Sequence, residues 1–468
     1  ADPAAARLQP WLASHLTQVA PTTTLRVAVR GTTLEAATTA VREAGLRVQQ
    51  QWPLVNAVIA VGPAQLVPAL ARQSGVVYVE GDQPLALTLA TAHKATRSDI
   101  ARSTFKTPKR GLIDGSGVTI AIIDSGVDSL HPMFQQGGKS KVVQNRKNVC
   151  GIELIAGTSE TCFAAAPDTD TISVGGHGTH VAGIAAGVPI TLPGGAKIRG
   201  AASGAKIVML SVGVAISLLD AEAAQNWILE HQRNPCRTKA QQSMPIDPAC
   251  PPIRVTNHSY GQDTGSDNVR HDPRSLEVQL QQALVRKGVV AVWAAGNNGG
   301  RGAEARTNAP AMDPTGGVIM VANYNDANTG ERDRALASSS SRGKQGVTDS
   351  YPDLSAPGSE ITSACRAYLP ICTTGGEVID LGNYNTISGT SMASPYVAGV
   401  VAQLFQADPR LTPAQAEILL ERYAFRFGDE YERDPLNRFS PTSFDTGHGI
   451  VDVFATLRAV CARDRARC

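Results

Sequence analysis

The sequence predicts an α/β fold: a doubly wound, mostly parallel sheet, preceded by a small α+β domain. Three observations carry this. From Gly117 to about Leu457, short apolar strands alternate with helical stretches. The strands are unbroken β-branched runs, the pattern of strands covered on both faces. And 468 residues are too many for one ordinary core, so a second unit is expected.

Composition narrows the function. Charged residues make up 18% and the formal net charge is +2, which argues against nucleic acid or an anionic membrane as the main partner. No apolar run approaches the roughly 20 residues of a membrane helix. No basic region followed by an apolar one marks a signal peptide at the N-terminus.

Taken in order, residues 1–24 form an Ala- and Thr-rich arm with a short helix from Leu8 to Leu16. Residues 25–82 then carry a compact pattern. Leu25 to Val29 is a strand, and Leu34 to Ala44 a helix stopped by Gly45. Leu46 to Gln51 and Val55 to Val61 are strands around Trp52-Pro53. Ala64 to Ser74 is a second helix closed by Gly75, and Val76 to Glu80 a last strand. The order βαββαβ is the ferredoxin-like unit. It contains neither His nor Cys and is too small to be catalytic.

Residues 83–111 have the composition of a polar linker, interrupted by the extended apolar stretch Leu85-Ala86-Leu87-Thr88-Leu89. Residues 112–468 form the main domain. Its strands are Val118 to Ile123, Lys206 to Leu210, Ile253 to His258, Val289 to Ala294 and Val318 to Val321. Its helices start near Val181, Ala221, Ser275 and Pro395. A site is expected beyond the carboxyl ends of these strands.

The 8 cysteines fall in neighbouring pairs: Cys150 and Cys162, Cys236 and Cys250, Cys365 and Cys372, Cys461 and Cys468. They read as four short staples on surface loops, paired nearest to nearest. None has the Cys-x-x-Cys spacing of a zinc site. Disulfides imply an oxidising compartment, hence a secreted protein, extracellular or periplasmic. Two stretches, Lys139 to Val174 and Arg233 to Pro252, exceed a minimal core and each holds one pair. They are read as pinned loops that shape a cleft or decorate the surface.

Four motifs carry chemistry. Val118-Thr119-Ile120-Ala121-Ile122-Ile123-Asp124-Ser125-Gly126 is a strand ending in an acid. Gly176-His177-Gly178-Thr179-His180 opens an apolar helix. Ala294-Ala295-Gly296-Asn297-Asn298-Gly299 is a turn after a buried strand. Ser388-Gly389-Thr390-Ser391-Met392-Ala393 enters a helix that is apolar through Leu404. Ser391 at a helix start sits where free N–H groups and a positive dipole end stabilise negative charge. A serine hydroxyl needs a neighbouring base, which an imidazole can supply.

The set, in the chain order Asp, His, Ser, resembles the subtilisin-like serine peptidases, or subtilases. The resemblance implies Ser391 as nucleophile, His177 as base and Asp124 as the residue orienting His177. Asn297 and the Ser391 N–H would form the oxyanion hole. His180 would be structural, because the His-x-x-His spacing lacks the glutamate of zinc proteases. Ser259, Tyr260 and Gly261 resemble one wall of the primary pocket and Ala309-Pro310 the other, with Asn308 near its floor. An extended peptide would pair with this edge. Residues 25–82 resemble the inhibitory propeptide of the family, so the chain would be its own intramolecular inhibitor until cut within 85–98.

Implied partners are protein or peptide substrates, for a monomer. No cofactor is required. Met133 replaces an acidic calcium ligand of relatives, and residues 188–194 lack the Asn-rich loop of that site, so the strong calcium site is expected to be absent. Loops such as Asp326 to Asp333 leave weak calcium binding open. Competing readings are a protease fold held shut as a binding protein, and a serine esterase. The esterase would need Gly-x-Ser-x-Gly around its nucleophile, which Ser391 lacks.

Overall fold

The computed structural model describes residues 7–82, 85–87, 94–108, 111–153, 156–170, 175–192, 197–212, 217–262, 269–326, 329–332, 336–366, 369–373, 383–428, 441–463 and 468. After a short helix, Pro10–His15, the N-terminal domain runs β1 (Thr24–Gly31), α1 (Leu34–Glu43), β2 (Arg47–Trp52), β3 (Ala57–Pro63) and β4 (Val76–Gly81). The four strands form an antiparallel sheet in the order β2-β3-β1-β4. Thr33 caps α1 by accepting from Ala36 N at 3.1 Å. The helix then buries Ala37, Ala40 and Val41 at helical spacing.

Two expectations in this domain need correction. The helix read over 64–74 is a 3₁₀ turn, Ala64–Leu66, followed by one α turn, Val67–Leu70. Pro68 brings no N–H to continue an α-helix from residue 64. The strand read from Val55 begins only at Ala57, because Asn56 is left-handed, with φ 52°.

Beyond it lie β5 (Leu85–Leu87) and α2 (Ser98–Thr104), and then the main sheet. Its strands in chain order are β6 (Thr119–Asp124), β7 (Val142–Asn148), β8 (Phe163–Ala165), β9 (Lys206–Ser211), β10 (Ile253–His258), β12 (Val290–Ala294), β13 (Val318–Tyr324) and β14 (Leu354–Pro357). A short strand, β11 (Tyr260–Gln262), follows β10 outside this sheet. The spatial order is β8-β7-β9-β6-β10-β12-β13-β14, and every pairing is parallel except β7 with β8.

Helices α3 (His177–Ala186) and α6 (Thr390–Ala407) cover one face; α4 (Leu218–His231) and α5 (Leu276–Arg286) cover the other. Strand alternation divides the core between them. Ile120 and Ile122 of β6 pack with α3 and α6, while Ala121 and Ile123 pack on the α4 and α5 side. Every residue of α6 is buried. Two further helices, α7 (Pro413–Tyr423) and α8 (Val453–Arg463), close the chain. The segment read as a polar linker carries α2, which packs on the main domain. Just before it, the Arg97 guanidinium holds Asp452 at 2.6 Å, beside α8.

The two domains share a core. Ala28, Trp52, Ala57 and Ile59 of the N-terminal sheet join the cluster around α4 and α5. At the edge of that seam Glu80 accepts from the Leu276 N–H of α5, and Asp82 from the Leu219 N–H of α4 at 3.0 Å. Both acids therefore face positive helix ends.

Candidate active site

β6 ends at Asp124, level with its parallel neighbours: Ser211 of β9 pairs with Asp124, and His258 of β10 with Ile123. α3 delivers His177 to this edge. Its close approach depends on Gly178, where a Cβ would lie 2.2 Å from Gly126 O and 3.1 Å from the Asp124 Cβ. His177 Nδ1 and Asp124 Oδ1 are 2.7 Å apart, and the same oxygen accepts from Ser125 N at 2.7 Å. A carboxylate only accepts, so this bond places the imidazole proton on Nδ1 and leaves Nε2 basic.

Ser391 is the second residue of α6. Its hydroxyl donates to Ser259 O at 2.8 Å, and the Ser259 hydroxyl returns a bond to Ser391 O at 2.7 Å. α6 packs directly on α3, and Ser259, the partner of Ser391, follows His258, which pairs with Ile123 one residue before Asp124. Backbone N–H groups in the first turn of a helix have no acceptor within it, which suits an oxyanion.

Asn297 follows Gly296, a left-handed turn residue with φ 102°. Its Oδ1 accepts from Thr390 N at 3.0 Å and from the Thr390 hydroxyl at 3.2 Å. The Thr390 N–H can only donate, so the amide oxygen must face it, and the Asn297 NH₂ turns the other way. Thr390 Oγ1 in turn accepts from Gly296 N at 3.1 Å. One threonine thus orients the asparagine next to the serine.

Of the expected pocket residues, Ser259 and Gly261 lie at the edge. Tyr260 contributes only main chain there: strand alternation sends its ring inward against Trp293, and its hydroxyl bonds His258 Nδ1 at 2.8 Å. Asn308 stands under Gly261, where a Cβ would come within 3.2 Å of its amide. It donates to Tyr260 O at 2.8 Å and to Ala294 O at 3.3 Å, tying the two walls together. His180 is buried, bonds Asn385 O at 3.0 Å through Nε2, and is pushed by burial down to about 3.

The sequence reading missed Asp170. Its carboxyl accepts from Gly176 N at 3.0 Å, the Thr179 hydroxyl at 2.5 Å and the Ser125 hydroxyl at 3.1 Å. It therefore fixes residues beside both Asp124 and His177. Burial, with Asp124 nearby, raises it to about 6. No local motif surrounds it; only the fold brings Asp170 here.

The edge is not vacant. β5 pairs antiparallel with β11: Leu87 faces Tyr260, Ala86 faces Gly261 and Leu85 faces Gln262. Asp124, His177 and Ser391 are each 0% exposed.

The model of the Subtilase family matches residues 115–449. The chain belongs to the subtilase family. It is a subtilisin-like serine endopeptidase. Subtilisin E of Bacillus subtilis (strain 168) is 30% identical over 424 residues, 89% of this subtilase and 85% of that relative. Alkaline serine exoprotease A of Vibrio alginolyticus is 28% identical over 77% of this chain and 53% of its own length. Among solved structures, fervidolysin from Fervidobacterium pennivorans, a keratinolytic enzyme related to subtilisin, aligns with TM-score 0.63. At 24% identity over 93% of this subtilase it shows the fold, and this chain spans 61% of that one.

Four disulfides form between nearest neighbours: 150–162, 236–250, 365–372 and 461–468. At the calcium position of relatives, Met133 is buried, and its methyl lies where a side chain at Gly187 would go. Nearby, the buried Lys141 ammonium donates to Ala186 O at the end of α3 and to Ser203 O at 2.5 Å. Burial, with Lys206 adding repulsion, pushes it down to about 7. Asp326 is described, but the loop's other end, residue 333, lies outside the described residues. Elsewhere Asp353, Glu417 and Glu421 gather within 4.8 Å. Two of them accept backbone N–H groups, Met320 to Asp353 at 2.6 Å and Gly317 to Glu417 at 2.5 Å. Among the described residues no helix is long and apolar enough to cross a membrane.

Proposed function

We propose that Asp124, His177 and Ser391 are the catalytic triad of a secreted, monomeric endopeptidase made as a latent precursor. The observation that carries this is the Asp124–His177 bond of 2.7 Å beside the helix start that holds Ser391. His177 Nε2 takes the Ser391 proton as Oγ attacks the scissile carbonyl. The oxyanion faces the Asn297 amide and the Ser391 N–H. The imidazolium, stabilised by Asp124, then protonates the leaving amine, and water repeats the sequence to free the acyl group. Protein or peptide substrates would bind by strand addition to β11. No resident cofactor takes part in these steps; weak calcium binding is a matter of stability.

Two features support latency. The β5–β11 pairing has the geometry of a bound peptide, and the three residues are fully covered. Residues 25–82 would then be the inhibitory propeptide. Self-cleavage is then expected within 85–98, next to Leu87 or Thr88, just after the paired residues of β5. The same coverage also favours a second reading, a protease fold kept shut as a binding protein.

The test is Ser391→Ala. Protein hydrolysis should vanish down to the residual roughly 10³–10⁴ over water that binding and the oxyanion hole supply, with thermal stability unchanged. Undiminished hydrolysis by Ser391→Ala would falsify the assignment. An inert parent chain, even after removal of residues 1–88, would leave the binding reading standing.

A further inference from the structure

The insertion read from Lys139 to Val174 was expected to shape the cleft or to decorate the surface; β7 and β8 within it are instead strands of the main sheet. Its stapled part lies elsewhere. β2 of the N-terminal domain runs across the Cys150–Cys162 loop. Gln49 Nε2 donates to Cys150 O at 2.7 Å, and Gly157 N donates back to Gln49 O at 3.1 Å. Gln50 Nε2 reaches Cys162 Sγ, a sulfur of the disulfide itself, at 3.1 Å. Gln49 and Gln50 are both buried. These are long polar side chains on a strand face, where apolar residues would suffice if the domain met only α4 and α5.

The loop is also tied to the second strong contact of that domain. Asn148 holds its start, accepting from Cys150 N at 3.1 Å, and donates to Asp220 Oδ1 at 2.6 Å. The same oxygen receives Arg26 Nη2 of β1 at 2.7 Å. Arg26 is almost wholly buried and also holds Asp82 at 3.0 Å. Gly151 makes this approach possible: a Cβ there would sit 2.1 Å from Asp220 Oδ1 and 2.5 Å from Arg26 Nη1. The far end of the loop is braced independently. Ser159 bonds Glu230, and Glu160 Oε1 accepts from Lys239 N, in the second insertion, at 2.7 Å.

We propose that the two ends of the Cys150–Cys162 loop, residues 150–151 and 156–162, are a docking seat for the N-terminal domain, pre-formed by the disulfide and read by Gln49, Gln50 and Arg26. The seat holds the domain on the catalytic unit at a place separate from the substrate edge, so that β5 is delivered to β11 by two anchors. The effect on latency rests on the inhibitory role proposed above; the docking does not.

The test uses full-length chains carrying Ser391→Ala, so that no processing intervenes, and reads hydrogen exchange of β2 and of residues 156–163. Gln49→Ala and the pair Cys150→Ser/Cys162→Ser should each speed exchange there roughly fivefold to tenfold, the loss expected for about one buried hydrogen bond. Cys461→Ser/Cys468→Ser, which removes a staple far from the seam, should leave it unchanged. If the loop variant does not fold, Gln49→Ala decides alone. Equal exchange in Gln49→Ala and the parent, or equal loosening by the remote pair, overturns the seat. In chains that keep Ser391, the same variants should react faster with a fluorophosphonate by a similar factor. Immediate reaction of the unaltered full-length chain would overturn the inhibitory role, while the exchange data would still decide the docking.

Discussion

Two buried groups of carboxyls, one at the end of β6 and one at the domain seam, are built differently. Asp124 receives an imidazole N–H and a backbone N–H on one oxygen, while its other oxygen finds no hydrogen-bond partner among the described residues. At the domain seam, neither oxygen of Glu222 finds a hydrogen-bond partner among the described residues. Burial, with Glu80, Glu277 and Asp82 around it, raises Glu222 well above the ordinary carboxyl range; Arg26 opposes this. Glu80 is pushed by burial, with Asp272 adding repulsion, up to about 8, against the Leu276 N–H and Arg30. The Asp124 carboxylate is oriented by two N–H donors, whereas burial at the seam favours the neutral forms of Glu80 and Glu222 while the domains are joined.

The largest way to break this contrast is Asp124→Asn. Geometry survives but the imidazole loses the partner that fixes its tautomer, so kcat should fall about 10⁴-fold, as in the trypsin example of the same exchange. A fall below tenfold would mean that Asp124 is not the orienting residue. Next is Asn297→Ala, expected to lower kcat roughly 10²- to 10³-fold with KM nearly unchanged, the range seen for the equivalent subtilisin donor. A change in KM alone would place Asn297 in substrate binding instead.

The seam should respond to pH. Joined, Glu80 titrates near 8; separated, near its ordinary 4.5. Between these values the joined state holds more protons, so attachment is complete at low pH and is lost as pH rises through about 8. The slope is about tenfold per pH unit for one proton released. The urea midpoint for detaching the N-terminal domain of the Ser391→Ala chain should therefore be lower at pH 8.5 than at pH 5.5. The opposite trend would show that these acids are ionised in place. The smallest expected effect is that of Glu222→Gln, which keeps the shape and removes one titration. It should flatten that pH dependence by up to about one proton, read as the slope of the same midpoint, and leave kcat alone.

Much of this was legible because the decisive signals are local. Apolar runs ending in Asp124 and before Asn297 announced the central strands, and Gly-flanked His177 and Ser391 announced helix starts. β7 and β14 escaped notice for physical reasons. β7, Val-Val-Gln-Asn-Arg-Lys-Asn, lies near the sheet edge and is polar after its first two residues, while β14 has four residues and ends in Pro357. α7 does carry a local signature, Thr412 and Gln415 in a capping box before Ile418 and Leu419, which the strand-centred reading passed over. Asp170, Arg26, Gln49 and Glu222 had no motif at all. Asp170 reaches Ser125, 45 residues away, Gln49 reaches Cys150, 101 away, and Arg26 reaches Asp220, 194 away, while Glu222 is defined by its burial among other acids; only the fold brings these together.

The most direct measurement is intact-mass analysis of the purified chain during reaction with a fluorophosphonate, followed by mapping of the adduct. The account predicts one adduct per molecule, on Ser391, confined to chains that begin within residues 85–98, most abundantly next to Leu87 or Thr88. Adduct on the full-length chain at the same rate, or on any serine other than Ser391, would contradict it.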